Sequence, residues 1–261
     1  MSAKLPLSQC TILVTRPTHQ AANLCERLQR AGAQCYRFPV IDIQPLELNA
    51  GQRELLATLA GVDIIVFISA NAVIQAAAYL PQKKHFPETL KLAAIGNATA
   101  KAMAARSLPI HIKPEHHFDS ESFLALSELQ QLDGKHIVLV KGQGGRTILA
   151  ETLKRRGAQL TLVDIYQRCV ANSPATALLK DWQERNIDIQ TITSVESLQN
   201  LLDIVGVEGE RFVKNTPMVV ISDRIKDYAL ERQFNAPILV AKQASDAAMV
   251  KAVIELKQSL A

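Results

Sequence analysis

Slid against itself by 125 residues, the chain repeats: ILVTRPTHQAANLCERLQRAGAQ from Ile12 falls without a gap on IVLVKGQGGRTILAETLKRRGAQ from Ile137, and eight of the 23 positions are identical. A recurrence at fixed offset means that one structural recipe is used twice, so the fold must be assembled from two similar parts. The match also continues. VFISANAV at 66–73 falls on TITSVESL at 191–198, which sets Ser69 on Ser194. With a one-residue slip AAIGNATAKAMA at 93–104 meets VVISDRIKDYAL at 219–230, and with the slip reversed FDSESFLALSEL at 118–129 meets QASDAAMVKAVI at 243–254. The duplication covers nearly the whole chain.

Each copy alternates short apolar runs with amphipathic segments. TILVT, DIIVFI, LKLAAI, HIVLV, TLVDI, QTITS, MVVIS and PILVA are too short for buried helices and carry the β-branched residues that strands prefer. The helix expected after Arg16 sets Leu24 and Leu28 one turn apart and stops at Gly32; its twin has Leu149, Leu153 and Gly157. Strands apolar on both faces, alternating with helices, predict parallel sheets covered by helices: an α/β protein of two similar lobes. In such sheets ligands bind at the carboxyl ends of strands, here the loops TRP at 15–17, SANA at 69–72, IGNA at 95–98, KGQGG at 141–145, TSVES at 193–197 and SDRI at 222–225. Six loops, three per copy, are able to converge on one cleft. After the first strand and helix of each copy the chain runs through an extended, proline-marked seam, YRFPVIDIQPL and VDIYQRCVANSP. Two crossings between lobes and two ordinary edge strands both fit these seams.

The KGQGG loop leads from a strand into a helical pattern starting near Arg146. Such a turn aims backbone N–H groups at one point and suits an anion. It lacks the Gly-Lys-Ser/Thr ending of a Walker loop and the third glycine of a dinucleotide loop, so a plain strand-to-helix turn stays equally open. The 261 residues carry a net charge of +4, without the dense basic stripe and interleaved aromatics of a nucleic-acid binder. No window has signal-peptide or membrane-spanning character, which points to a cytoplasmic protein with no membrane contact. Cys10, Cys25, Cys35 and Cys169 show no paired spacing, so reduced, partly buried thiols are expected. His111, His116, His117 and Asp119 match no common ligand pattern, and no metal is expected; Asp119 or Ser120 reads as a helix N-cap.

The order and spacing of ILVTRP, D-x-x-x-F-x-S-A-N-A-V at 63–73, AIG-x-x-T-A at 94–100, KGQGGR with L-x-x-R-G-A and Y-Q-R at 141–168, and TS-x-x-S-L at 193–198 resemble the uroporphyrinogen-III synthase family over essentially the full length. The resemblance implies two flavodoxin-like lobes with parallel sheets, joined by a two-stranded antiparallel connector. Residues 1–36 with 172–261 would form one discontinuous lobe, 43–166 the other, and 37–42 and 167–171 the connectors. It implies cofactor-independent dehydration and cyclisation of hydroxymethylbilane, a linear tetrapyrrole rich in carboxylates, with inversion of ring D through a spiro intermediate. It also allows a transient contact with the preceding pathway enzyme. On this view the glycine loop cradles acetate and propionate groups. The resemblance places the family's site tyrosine at Tyr166, whose phenol can donate a hydrogen bond to the departing hydroxyl. Substrate binding is expected from Thr15, Arg16, Ser69, Ala70, Asn71, Gly96, Lys141, Gly142, Gly144, Gly145, Ser194 and Ser222. Arg16, Lys141 and Arg146 would pair with carboxylates or remain solvated charges, and Ser69 and Ser194 would bond a carboxylate, cap a helix or do both. Three departures from the family pattern, Ile68 before Ser69, Lys141 opening the glycine turn and Ser222 opposite Gly96, favour backbone over side chain as the ligand there. A two-lobed, non-catalytic binding or sensory module for an acidic small molecule is the alternative.

Overall fold

Strands form where the short apolar runs lie, and helices form where the pattern changes to a 3.6-residue period. The structure, a computed structural model, describes residues 5–116, 118–145, 147–184 and 186–260. The chain opens with β1 (Thr11–Val14), α1 (Thr18–Arg30), β2 (Gln34–Arg37), β3 (Ile41–Pro45) and α2 (Ala50–Thr58). It continues through β4 (Ile64–Phe67), α3 (Ala70–Ala76), β5 (Lys91–Ala94), α4 (Asn97–Ala104) and α5 (Ser120–Leu124). Then follow β6 (His136–Gly142), α6 (Ile148–Arg155), β7 (Gln159–Val170) and α7 (Ala175–Gln183). The last third holds β8 (Ile189–Ile192), α8 (Val195–Asn215), β9 (Met218–Val220), α9 (Asp223–Glu231), β10 (Ile238–Val240) and α10 (Asp246–Ser259). All eight apolar runs are strands, and the α/β class with parallel sheets is as expected. The edge strand β2, QCYR, has no apolar run to announce it.

By proximity the chain divides into two units, Met1–Asp42 with Cys169–Ala261, and Ile43–Arg168. The sheet of the first unit has the order β10-β9-β8-β1-β2, and its neighbouring strands run parallel. Counted in order of appearance this is 2-1-3-4-5, the doubly wound arrangement with its switch point between β1 and β8. Ile12, Val14, Ile189 and Val219 share a buried core with Leu24 and Leu28 of α1 and Met249, Val253 and Leu256 of α10. Inside α8 the backbone leaves helical values at Gly206, with φ of 62° and ψ of −169°, so the segment is two helices meeting at a kink.

The second sheet has the order β3-β7-β6-β4-β5. Strands β5, β4, β6 and β7 run parallel in a 2-1-3-4 order, with the switch point between β4 and β6. Beside them, Leu46 N–H donates to Ile165 O at 3.0 Å and Ala171 N–H to Val40 O at 3.2 Å, so β3 runs antiparallel to β7. The two-residue period divides the strands between two cores. Ile65, Phe67, Leu92, Ala94, Val138 and Val140 pack with α2, α3 and α4, whereas Ile64, Val66, Ala93, Ile137 and Leu139 pack with α5 and α6. Strand β1, which opens the first sequence copy, thus pairs with β8 of the second, and β6, which opens the second copy, pairs with β4 of the first.

All four cysteines are unbridged thiols. Burial pushes the Cys10 thiol up to about 11, and burial together with Cys25 pushes Cys35 up to about 12. Neither is a nucleophile at neutral pH. No helix among the described residues is long and apolar enough to cross a membrane.

Candidate active site

In the second unit the loops after β4 and β6 leave the switch point in opposite directions, which opens the sheet at the carboxyl ends of these strands. Ser69 follows β4 and caps α3, its Oγ accepting the Ala72 N–H at 3.1 Å. Ala70 and the buried Asn71 form the first turn of that helix. Gly142 ends β6. Tyr166 reaches the same point from β7, because the register shifts between Lys141, opposite Asp164, and Gly142, opposite Tyr166. Without that bulge Ile165 would stand opposite Gly142 and the phenol would turn to the other face of the sheet.

The Tyr166 ring is buried, with 3 % exposure, and its hydroxyl lies 3.0 Å from Ser69 Oγ. The ring occupies the space above Gly142: a Cβ there would stand 2.6 Å from Cζ, 2.7 Å from Cε2 and 2.9 Å from the hydroxyl oxygen. Gly142 therefore permits the tyrosine to sit where it does. Its neighbour Lys141 folds back over the loop. Lys141 Nζ lies 2.7 Å from Asp164 Oδ1 and donates to the carbonyls of Gly142 and Gly144, each at 2.9 Å. Gly144 and Gly145 have φ of +75° and +90° with open space around them, which leaves their backbone accessible to a ligand. Arg146 lies outside the described residues. Gly96 stands at the N-cap of α4 in extended conformation, with the half-exposed Phe118 beside it.

In the first unit the switch point is built differently. Thr15 is fully buried, and its Oγ1 donates to Thr191 O at 3.0 Å while Thr191 Oγ1 donates to Leu13 O at 3.0 Å. The Thr15 hydroxyl thus laces β1 to β8. Arg16 is ion-paired with Asp246, which also accepts from Asn23. Its charge is met from inside the unit. Asp246 was not among the expected site residues: an acidic residue in the first turn of α10, after the Ser245 cap, suits the helix N-terminus, and nothing local announces its pairing with Arg16. Ser194 caps α8, accepting from Ser197 N–H at 2.9 Å, and Ser222 stands at the N-cap of α9 without a side-chain bond to it.

Within the histidine cluster His111 and Asp119 have local roles. His111 Nδ1 accepts the Leu92 N–H at 2.9 Å, and Asp119 caps α5 by accepting Ser122 N–H at 2.7 Å, as anticipated. His117 lies outside the described residues. Among the described residues no group of three His, Cys, Asp or Glu side chains is placed to hold a metal ion.

The fold and its loops define a duplicated, doubly wound α/β protein whose second unit gathers a phenol, a serine hydroxyl and a glycine loop at one switch point. The chain belongs to the uroporphyrinogen-III synthase family: the family model described as uroporphyrinogen-III synthase HemD matches residues 22–251. The uroporphyrinogen-III synthase of Escherichia coli K12 is 31% identical over 93% of this chain and 99% of its own length. That of Proteus mirabilis is 34% identical over 74% of this chain and 97% of its own. Among solved structures, uroporphyrinogen-III synthetase from Helicobacter pylori superposes with a TM-score of 0.59 at 14% identity, covering 95% of this chain and 99% of its own. A mutant uroporphyrinogen III synthase from Thermus thermophilus superposes at 0.57 and 15% identity, covering 96% and 99%. The last two likenesses speak for the fold.

Lys141 and the glycines after it make a contrasting pair of tests. Lys141 braces the loop through three contacts within its own unit, so Lys141→Ala is expected to lower turnover only severalfold, about 1 kcal/mol or less. Valine at Gly144 or Gly145 must adopt a left-handed backbone that β-branched residues strongly disfavour. Turnover is expected to fall about a hundredfold or more there, read by initial rates beside thermal melts. Equal, mild losses at all three positions would mean that the loop does not meet the substrate.

Proposed function

We propose that this chain dehydrates and cyclises hydroxymethylbilane with inversion of ring D, giving uroporphyrinogen III for tetrapyrrole and heme biosynthesis. Family membership over residues 22–251 carries this reading. The terminal hydroxyl departs to leave an azafulvene cation, ring D is attacked at its substituted carbon to form a spiro intermediate, and the ring is turned over before the macrocycle closes. Left alone, the azafulvene closes without rearrangement. Catalysis is then largely orientation, holding the flexible chain so that the substituted carbon lies within reach. Protein groups suffice for this, and no cofactor enters the scheme.

Tyr166 is the proposed catalytic residue, donating to the departing hydroxyl from its place between Ser69 and Gly142. The backbone of Gly142, Gly144 and Gly145, the first turn at Ala70 and Asn71, and the caps at Gly96, Ser194 and Ser222 are proposed to receive substrate carboxylates. Thr15 and Arg16 enter as shapers of their loop, since Thr191 and Asp246 already hold them. The reading includes two flavodoxin-like lobes, 1–36 with 172–261 and 43–166, whose connectors are 37–42 and 167–171. A cytoplasmic enzyme that meets its predecessor in the pathway only transiently completes it.

The test is the rate at which freshly made hydroxymethylbilane disappears with catalytic amounts of the protein. Consumption faster than spontaneous closure, over many turnovers, is expected. Stoichiometric protection of the bilane without turnover would instead indicate the non-catalytic binding module.

A further inference from the structure

We propose that Ser69 is a positioning residue for Tyr166: it donates a hydrogen bond to the phenol oxygen, so that the phenol's own hydrogen is turned toward the leaving hydroxyl. This rests on the assignment of Tyr166 to that hydroxyl. A serine hydroxyl has one hydrogen and two lone pairs, whereas a backbone amide can only donate. The Ala72 N–H fills one accepting position of Ser69 Oγ at 3.1 Å, and the Tyr166 hydroxyl lies 3.0 Å away. The serine hydrogen then has the phenol oxygen in reach. A chain runs from the Ala72 amide through Ser69 to Tyr166, each member donating to the next, and such chains strengthen one another away from bulk water. With 3 % exposure the tyrosine is in such a place.

The duplication supplies an internal control. Ser194, the counterpart of Ser69, also caps its helix, but its Oγ lies 2.7 Å from Ser197 Oγ. At the same 125-residue offset the position of Ser197 is Ala72 in the first copy, and the position of Tyr166 is Ile41. The copy that faces a tyrosine lacks the competing hydroxyl, and the copy that carries the second hydroxyl faces no tyrosine at that register. Capping alone explains a serine in both copies; it does not explain this exchange.

In the step itself the C–O bond of the hydroxymethyl group breaks and its electron pair leaves with oxygen. The pyrrole nitrogen feeds electrons to the carbon, giving the azafulvene cation, and the oxygen takes the Tyr166 proton to depart as water. The phenolate formed is held by the Ser69 hydrogen. When the closed macrocycle regains its aromatic pyrrole it releases one proton, which returns to Tyr166.

Three substitutions separate capping from donation. Ser69→Asp keeps a good N-cap, yet its carboxylate has no hydrogen to give and captures that of the phenol. Ser69→Thr keeps both functions, and Ser69→Ala loses both. Single-turnover rates, KM and melting are to be measured for each, alone and with Tyr166→Phe. The expected result is that Ser69→Asp lowers kcat about ten- to a hundredfold, beyond any rise in KM from its added charge beside the carboxylate-receiving turn, and that Ser69→Thr recovers most of kcat. In the Tyr166→Phe background Ser69→Asp should cost little more, because the group through which Ser69 acts is gone. A raised KM with unchanged kcat would make Ser69 a plain carboxylate ligand and overturn the proposal, as would losses that multiply in the double variant. A neutral Tyr166→Phe would remove the underlying assignment instead, and is told apart because it needs no Ser69 variant.

Discussion

Gly142→Val is expected to nearly abolish turnover while leaving most of the fold in place. The reason is distance: even a Cβ at this position would stand 2.6 Å from Tyr166 Cζ, inside any permitted contact, and valine adds two more methyl groups. Gly142 closes β6 beside the register shift and is not among the glycines of positive φ, and Val is a good strand residue, so the conflict is with the tyrosine ring. The ring must swing away, which separates its hydroxyl from Ser69 and removes it from the core formed by Phe67, Val140 and Ile165. Overpacking of this kind costs about 1–3 kcal/mol of stability. Displacement of the donor should cost more in rate, about a thousandfold or beyond when added to the disturbed loop backbone. Gly142→Ala should show the same effect in weaker form, and a Gly142→Ala, Tyr166→Phe pair should be more stable than the two single losses predict, since the hydroxyl oxygen is one of the clashing atoms. Unfolding curves and initial rates check these outcomes; a fully active valine variant would show that the Tyr166 position is immaterial.

Tyr166→Phe is expected to fall in rate much more than in stability. The substitution removes one oxygen and leaves the ring in the same pocket, with Ser69 Oγ still accepting from Ala72. Loss of the Ser69–Tyr166 hydrogen bond should cost about 1 kcal/mol of folding free energy. A donor whose bond strengthens in the transition state is worth about 1–4 kcal/mol, so the rate should fall about ten- to several-hundredfold. Complete loss is not expected, because the azafulvene forms readily and orientation by the remaining loops persists. Measured in single turnover beside a melt, an unchanged rate would leave Tyr166 with a packing role alone.

The strands that carry these residues were legible because both of their faces are buried, which writes them as apolar runs: Ile64–Phe67 and Ile137–Val140 contribute alternate residues to two cores. The caps at Ser69, Ser194 and Asp119 were legible because a polar side chain before a helical pattern has few other uses. Contacts between distant segments were not. Nothing local in KGQGG says that Gly142 makes room for an aromatic ring, since the ring comes from β7 and depends on a register shift between Lys141 and Gly142. The pairing of Arg16 with Asp246 likewise joins opposite ends of the chain. Strand β2 was legible only as the start of an extended seam, one reading of which was an edge strand, because an edge strand with exposed ends needs no apolar run; the Gly206 kink escaped notice because a helical pattern continues on both sides of it.

Isomer composition tests the central claim most directly. Freshly made hydroxymethylbilane, turned over by the unmodified protein and oxidised to the porphyrins for separation, is expected to yield predominantly the type III product, with type I confined to what the protein-free control forms in the same time. Type I product in the proportion of that control, at whatever rate, would contradict the account, because a protein that leaves ring D uninverted does not perform the reaction assigned to it.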